Sequence, residues 1–356
     1  MNIESSIKPI PADAAITLWN RLTHIHPGEL THAHNPDLFA FYRQYLKCCT
    51  WYIILYQHEQ PIGLLPLTKT RNRFFSQPHQ SYGGIHWLIS APADDQDTLK
   101  RILSWQVQTK PASGFWSVKI EQLPVQLDQQ LHIELRSLHP VLNYTDRQKS
   151  TYWLKLFPGE KDQMEALKPN LRRKIRAAKR KGVTFRVGKE ELLPDFMDVY
   201  GRNMHRLGSP AHGKDFFKSL LTSAQNERAV LAVAYYQGKA IGGGCWLSYN
   251  GFYENTHFAT LGNYNHLYTS FGLHWEMICY AQGRGGHTYS FGRSTTGSTV
   301  EKFKTQWPVD VYPLYFNSTR PIKHTLTSKT WLSKIWKHLP SFLVNAIGPS
   351  IAKRIY

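Results

Sequence analysis

Two long stretches of this 356-residue chain contain no acidic residue. From Lys168 to Lys189 there are ten lysines and arginines and no Asp or Glu; from Arg320 to Tyr356 there are seven and again none. Nearly all of the formal charge of +18 sits in these two segments, so the rest of the chain is close to neutral. Charge concentrated in this way favours phosphates, nucleic acid or an anionic membrane. Cysteine is scarce: Cys48, Cys49, Cys245 and Cys279, with no CxxC pair. A bridge between the adjacent Cys48 and Cys49 would be strained. A disulfide framework or thiolate zinc site is therefore not expected, which fits a reducing cytoplasm. The 17 histidines include no HExxH or HxxxH spacing, so no metal site is expected. No run of about 18 apolar residues occurs, and the start of the chain lacks an apolar stretch after a basic one. Neither a spanning helix nor a signal peptide is expected. Apolar residues at 42% and aromatics at 13% are enough for packed cores and exclude global disorder.

The length suits two domains. In the first half, residues 13–26 and 36–46 carry helical periodicity, and 51–68 reads as strand, turn, strand. A strand is expected near 81–89, a helix over 94–110, and short strands near 115–121 and 131–137. In the second half, residues 229–260 read as a three-stranded meander with turns at Gln237-Gly238-Lys239 and Tyr249-Asn250-Gly251. A helix capped by Thr269-Ser270 and running to Gln282, a strand at 287–292, a short helix and a final strand at 309–316 follow. ILYQHEQPIGLLPL and AVAYYQGKAIGGGCWL share a weak pattern of strand, turn, Ile-Gly and strand, which supports two similar α/β halves.

Residues 291–307, FGRSTTGSTVEKFKTQW, place a strand end before a turn rich in hydroxyls and glycine, then a helix start. Such a turn presents backbone N–H groups to an anion. Arg293 adds a fork for phosphate or carboxylate, with Ser294, Thr295 and Ser298 beside it. Lys304 would place a point charge next to a developing oxyanion. Phe303 and Trp307, four apart, would anchor the segment. The other reading is a capped helix with solvated cations. Glu254 and Asn255 stand mid-strand among aromatics, where a carboxylate suits a general base for an amine. Strict alternation would put Phe252, Glu254 and Thr256 on one face and Tyr253, Asn255 and His257 on the other. Glu276, on the next helix, is a second base candidate. LKPNLRRKIRAAKRKG offers Asn170 as an N-cap and a narrow apolar stripe of Leu167, Leu171, Ile175 and Ala178. Arg172, Arg173, Lys174, Lys179 and Arg180 would then bind a polyanion, the alternative being a solvated charged helix.

The element order, the segment 291–316 and the pieces NLRRKIRAAKRKG and RLGSPAHGKDFF resemble FemAB-type acyltransferases, and among them the FemAB-like proteins associated with PEP-CTERM/exosortase and exopolysaccharide loci. The resemblance implies an α/β (α+β) chain of two tandem GNAT-like acyltransferase halves, 1–150 and 151–320, the second carrying the active site. Residues 321–356 form a basic amphipathic tail. It implies a cytoplasmic enzyme that moves an acyl or aminoacyl group onto an amine of a lipid-linked or saccharide precursor of the cell envelope or exopolysaccharide. The donor would be aminoacyl-tRNA or acyl-CoA, with no bound cofactor and no metal. Tyr82, Arg206, Asn255, Tyr268 and Trp307 join the expected donor and acceptor contacts. Two departures stand out. The place of the [QR]xxGx[GA] pyrophosphate loop of acetyltransferases reads LGNYNHLYTSFG, and the long coiled-coil insertion of peptidoglycan-bridge enzymes is absent. A plain acyl-CoA N-acetyltransferase and a non-catalytic nucleic-acid-binding module therefore remain as alternatives. In the tail, Trp331, Leu332, Ile335, Trp336 and Leu339 form an apolar stripe. Leu343, Val344, Ile347, Ile351 and Ile355 continue it, with Lys329, Lys334, Lys337, Lys353 and Arg354 alongside. This composition suits a helix lying on the inner membrane surface. Pro340 and Pro349 should kink or split it.

Overall fold

The computed structural model describes residues 7–25, 30–57, 60–70, 73–75, 86–87, 117–122, 144–223, 229–318 and 330–355. Tyr82, the helix expected at 94–110 and the strand expected at 131–137 lie outside them. The chain divides into two compact units. The first holds residues 1–151 and 312–322, the second residues 152–311 and 323–356. The tail thus belongs to the second unit.

In the first unit, β1 (Ile7–Pro11), β2 (Cys49–Gln57), β3 (Gln60–Thr70) and β4 (Arg73–Phe75) pair antiparallel in that order. β5 (His86–Trp87) pairs with β3, and β6 (Ser117–Gln122) pairs parallel with β4. α1 (Ala12–Ile25) and α2 (Pro36–Gln44) pack on β2. Trp19 and Phe41 are fully buried under them.

The second unit begins within β7 (Tyr144–Lys155), followed by α3 (Glu160–Glu165), α4 (Pro169–Arg180) and β8 (Thr184–Gly188). Next come α5 (Leu193–Leu207), α6 (Lys214–Ser223), β9 (Ala229–Tyr236), β10 (Lys239–Tyr249) and β11 (Phe252–Thr260). After them come α7 (Thr269–Gly283), β12 (Thr288–Thr295) and α8 (Thr299–Lys304), then β13 (Asp310–Ser318), which from Tyr312 onward belongs to the first unit, and finally α9 (Thr330–His338) and α10 (Ser341–Ile355). The sheet runs β7-β12-β11-β10-β9-β8. The two meander turns are set by left-handed pairs, Gln237 and Gly238 (φ 50° and 74°) and Asn250 and Gly251 (φ 48° and 78°). Their twist matches that of antiparallel strands.

Helices α4 and α7 cover one sheet face, and α5 covers the other. α4 seats Leu171, Ile175 and Ala178, each no more than 3% exposed. Its approach to α7 is close because Gly272 has no side chain: a Cβ there would lie 2.9 Å from the Ala178 Cβ. Two expected caps differ. α4 starts at Pro169, so Lys168 is the N-cap and Asn170 lies inside the first turn, accepting from Arg173 Nη2 at 3.0 Å. α7 is capped by Tyr268, whose backbone is left-handed (φ 58°), rather than by a hydroxyl. The preceding 3-10 turn, Gly262–Leu267, delivers the chain in that geometry.

Candidate active site

The central feature is a fork between two parallel strands. β11 and β12 pair through Phe252↔Thr288, Tyr253↔Tyr289 and Glu254↔Ser290. There the ladder stops, although β11 runs on to Thr260 and β12 to Thr295. Glu254, fully buried, sits at the point of divergence, and its Oε2 accepts from Ser290 Oγ at 3.0 Å. The same hydroxyl accepts from the Gly292 N–H at 3.1 Å. Gly292 has φ 69°, a left-handed kink that turns β12 away and that a Cβ would strain. Asn255 and Ser294, both buried, follow on the two arms of the fork.

The faces of β11 do not alternate as strictly as its sequence implies. The register with β10 skips Thr256 between the Cys245↔His257 and Trp246↔Asn255 pairs, a β-bulge. Tyr253 therefore joins the core on the α7 side, whereas His257 turns to the α5 side. Ser290 lies between Tyr289 and Phe291, which both face the α7-side core, so Glu254 and its serine partner face α5. Glu254 and His257 share a face, which an extra strand residue makes possible.

On that face a cluster appears that the sequence does not announce. The loop after α5 folds His212 over Phe216, with ring centres 4.0 Å apart, and 5.7 Å from His257. Tyr200 and Phe217 complete the aromatic wall. The helical spacing of the aromatics is visible in the sequence; the meeting of their imidazole partners, 45 residues apart, is not. Gly208 (φ 74°) ends α5 and starts this loop. Arg206 donates to Asn203 Oδ1 at 2.9 Å, so the two form a pair on the last turn of α5. Burial lowers the His212 pKa from 6.5 to about 4. The unfolded chain takes up this proton below 6.5 and the folded chain only near 4, so neutral His212 stabilises the fold fully above 6.5. That contribution is lost as pH falls towards 4, amounting to about 3 kcal/mol at 1.4 kcal/mol per unit. Melting temperature should fall as pH drops from 7 to 4.5, and less steeply in His212→Gln. Parallel profiles for the two proteins would contradict this.

The α7 side of the fork is filled. His274 stacks on Phe258 of β11 at 4.1 Å, touches Phe291 of β12 at 4.7 Å, and bonds Tyr289 Oη through Nδ1 at 2.9 Å. Burial, with the Lys304 charge as a lesser cause, holds its pKa well below 6.5. His274 is a neutral core histidine that wedges the strands apart. Trp307, 2% exposed, packs on Phe291 in the same core.

Other residues expected at the site take more local roles. Lys304 is buried, and its ammonium donates to the Gly292 carbonyl at 2.8 Å and the Arg293 carbonyl at 3.1 Å. It therefore holds the kinked arm of the fork from behind. Ser298 caps α8 by accepting from the Glu301 N–H at 3.2 Å. Glu301 reaches back to the Gly297 N–H and takes the Tyr152 hydroxyl at 2.8 Å. Arg293 is half-buried and Thr295 exposed on the arm itself. Glu276 does not reach the fork: it lies on α7 and pairs with Lys179 of α4 at 2.6 Å. Their hydrogen bond raises the Lys179 pKa.

The basic helix is sorted by its neighbours. Lys174 turns inward, bonding Gln306 Oε1 at 2.6 Å and lying 4.7 Å from the Phe271 ring. Lys181 reaches the His266 carbonyl at 2.9 Å and lies over the Tyr268 ring. Arg172, Arg173, Arg176 and Arg180 line an outward hollow of about 480 Å³ with Pro169. Arg176 is absent from the expected set, although the 172-176-180 spacing of four puts three arginines in one row.

Residues 166–305 match the family model described as "Acetyltransferase (GNAT) domain". No curated protein matches at the sequence level. Among solved structures, FemX is similar over 88% of this chain and 96% of its own, with 12% identity and a TM-score of 0.63. A tandem GNAT protein from the clavulanic acid biosynthesis pathway matches over 90% and 100%, with 10% identity and a TM-score of 0.55. L-PGS from Bacillus licheniformis matches over 91% and 97%, with 10% identity and a TM-score of 0.50. The residues that match this family model all lie in the second unit. The chain as a whole has the mixed α/β fold of tandem GNAT-like proteins, shared with FemX.

Proposed function

We propose that this protein transfers an acyl or aminoacyl group to an amine on a cell-envelope or exopolysaccharide precursor. The observation that carries this reading is the fork, with the buried Glu254 carboxylate where the β11–β12 ladder ends. Strands that diverge expose main-chain N–H groups on their facing edges, and these can polarise an acyl carbonyl held between them. The acceptor amine enters from the α5 side and attacks the carbonyl carbon. As the new C–N bond forms, Glu254 takes a proton from the nitrogen. Collapse of the tetrahedral oxyanion breaks the bond to the leaving oxygen or sulfur, which takes up the proton that Glu254 removed, so the carboxylate is restored. Lys304 acts on this step through the shape of β12, by holding the Gly292 and Arg293 carbonyls. The reaction belongs in the cytoplasm, where both candidate donors are made.

The donor carries phosphates, and the row of arginines on α4 favours aminoacyl-tRNA over acyl-CoA. The turn before α7, with Tyr268 at its cap, has no glycine-rich loop for a pyrophosphate, which points the same way. The fold shared with FemX and L-PGS is compatible with either donor. The description of the matched domain favours acetyl-CoA instead. Transfer of isotope-labelled acyl groups to amine acceptors, assayed with charged tRNAs and with acyl-CoAs in parallel, tests both. Product from neither donor would overturn the proposal. Charge reversal at Arg172, Arg176 and Arg180 should reduce the salt slope of tRNA binding by roughly 2, at about 0.7–0.9 for each phosphate no longer neutralised. An unaltered slope would remove the arginine row from donor binding.

A further inference from the structure

The two tail helices leave an apolar surface uncovered. α10 is seated on the second unit by Val344 and Ala352, both buried, and by Gly348, whose Cβ position lies 3.6 Å from the Ala211 backbone. α9 packs on α5, and Ser333 Oγ donates to the Leu207 carbonyl at 3.4 Å. The stripe expected from sequence is thus divided. Val344 faces the body, while Leu343, Ile347 and Ile351, spaced by four, are 38%, 43% and 36% exposed. Ile335 and Phe342 are 51% and 70% exposed, and Leu207 beside α9 is 47% exposed. These six are most of the nine exposed large apolar side chains among the described residues, so the patch is not a scatter of ordinary surface leucines. Pro340 separates α9 from α10, whereas Pro349 is accommodated within α10.

The charge around the patch identifies what covers it. Lys334 and Lys337 stand exposed on α9, and the sequence from Arg320 to Tyr356 contains no Asp or Glu. A protein partner would need to offer an apolar and acidic surface together. A bilayer rich in anionic lipid offers both over any area, with phosphates outside and acyl chains beneath. Neither helix is long and apolar enough to cross a membrane. We propose that α9 and α10 dock this protein on an anionic membrane surface. Phe342, Leu343, Ile347 and Ile351 enter the headgroup–acyl boundary, and the lysines meet lipid phosphates. The inference is independent of the donor and of the reaction, since it uses no residue of the fork.

Flotation of the full chain with vesicles tests it. The chain should float with vesicles containing phosphatidylglycerol and remain behind with phosphatidylcholine alone. Phe342→Ser with Ile347→Ser should reduce the bound fraction about tenfold. Lys334→Glu with Lys337→Glu should do likewise at low salt. Both variants change exposed side chains and should melt with the parent protein. Reversal at Arg172, Arg176 and Arg180 should leave flotation intact. The proposal is overturned if the parent chain does not float, or if the serine variant floats equally. It is also overturned if sedimentation shows a dimer that the serine variant dissolves without any flotation, because a second copy would then cover the patch.

Discussion

Glu254→Gln should lower the rate of acyl transfer roughly a hundred- to ten-thousand-fold, the usual effect of removing a general base. Glutamine keeps the shape, and its amide oxygen can still accept from Ser290 Oγ, so the fold should survive. Because the carboxylate acts on the proton of the attacking amine, the loss should fall on kcat and leave KM nearly unchanged. Ser290→Ala should give a smaller loss, since Ser290 only orients the carboxylate and braces Gly292. Steady-state kinetics with whichever donor, charged tRNA or acyl-CoA, gives product in the transfer assay decides the matter. An unchanged kcat in Glu254→Gln would remove this residue from the chemistry.

Lys304→Met should cost stability as well as activity. The ammonium is buried and donates to two main-chain carbonyls of β12. Charge-assisted hydrogen bonds contribute about 1.5–3 kcal/mol each, and their removal leaves buried acceptors unmatched. A loss of roughly 3 kcal/mol corresponds to a melting temperature lower by roughly 6–12 °C in a unit of this size. Calorimetry checks this directly. A variant that melts with the parent protein but no longer binds its donor would show that Lys304 serves the ligand rather than the strand.

Lys304 also marks where sequence reading stops. Its position after a strand and a polar turn singles out the segment, but the same position fits an outward cation and an inward one. Only packing decides. Local rules are enough where short-range geometry governs. Asn250-Gly251 fixes a hairpin, and the stripe on α4 names residues that are buried in the fold. The bulge at Thr256 is illegible because nothing in FYENTHF marks an extra residue; it is set by the match with β10. That one bulge changes which side chains share a face with Glu254. The pairing of Glu276 with Lys179 is hidden for a related reason, since it depends on how closely α4 and α7 approach at Gly272. His212 and His257 meet through a loop, and no periodicity encodes such a meeting. The FemAB resemblance carries the fold, because a fold rests on element order rather than on side-chain direction.

Everything proposed about the reaction requires that the fork between β11 and β12 receive the acyl group. A crystal structure with a non-transferring donor analogue, either an aminoacyl-tRNA mimic with an amide link or an acyl-CoA thioether, tests it most directly. The acyl group is expected between Glu254–Asn255 on one arm and Gly292–Arg293 on the other, with donor phosphates on the α4 side. An analogue held by the α4 arginines alone, with its acyl group outside the fork, would contradict it.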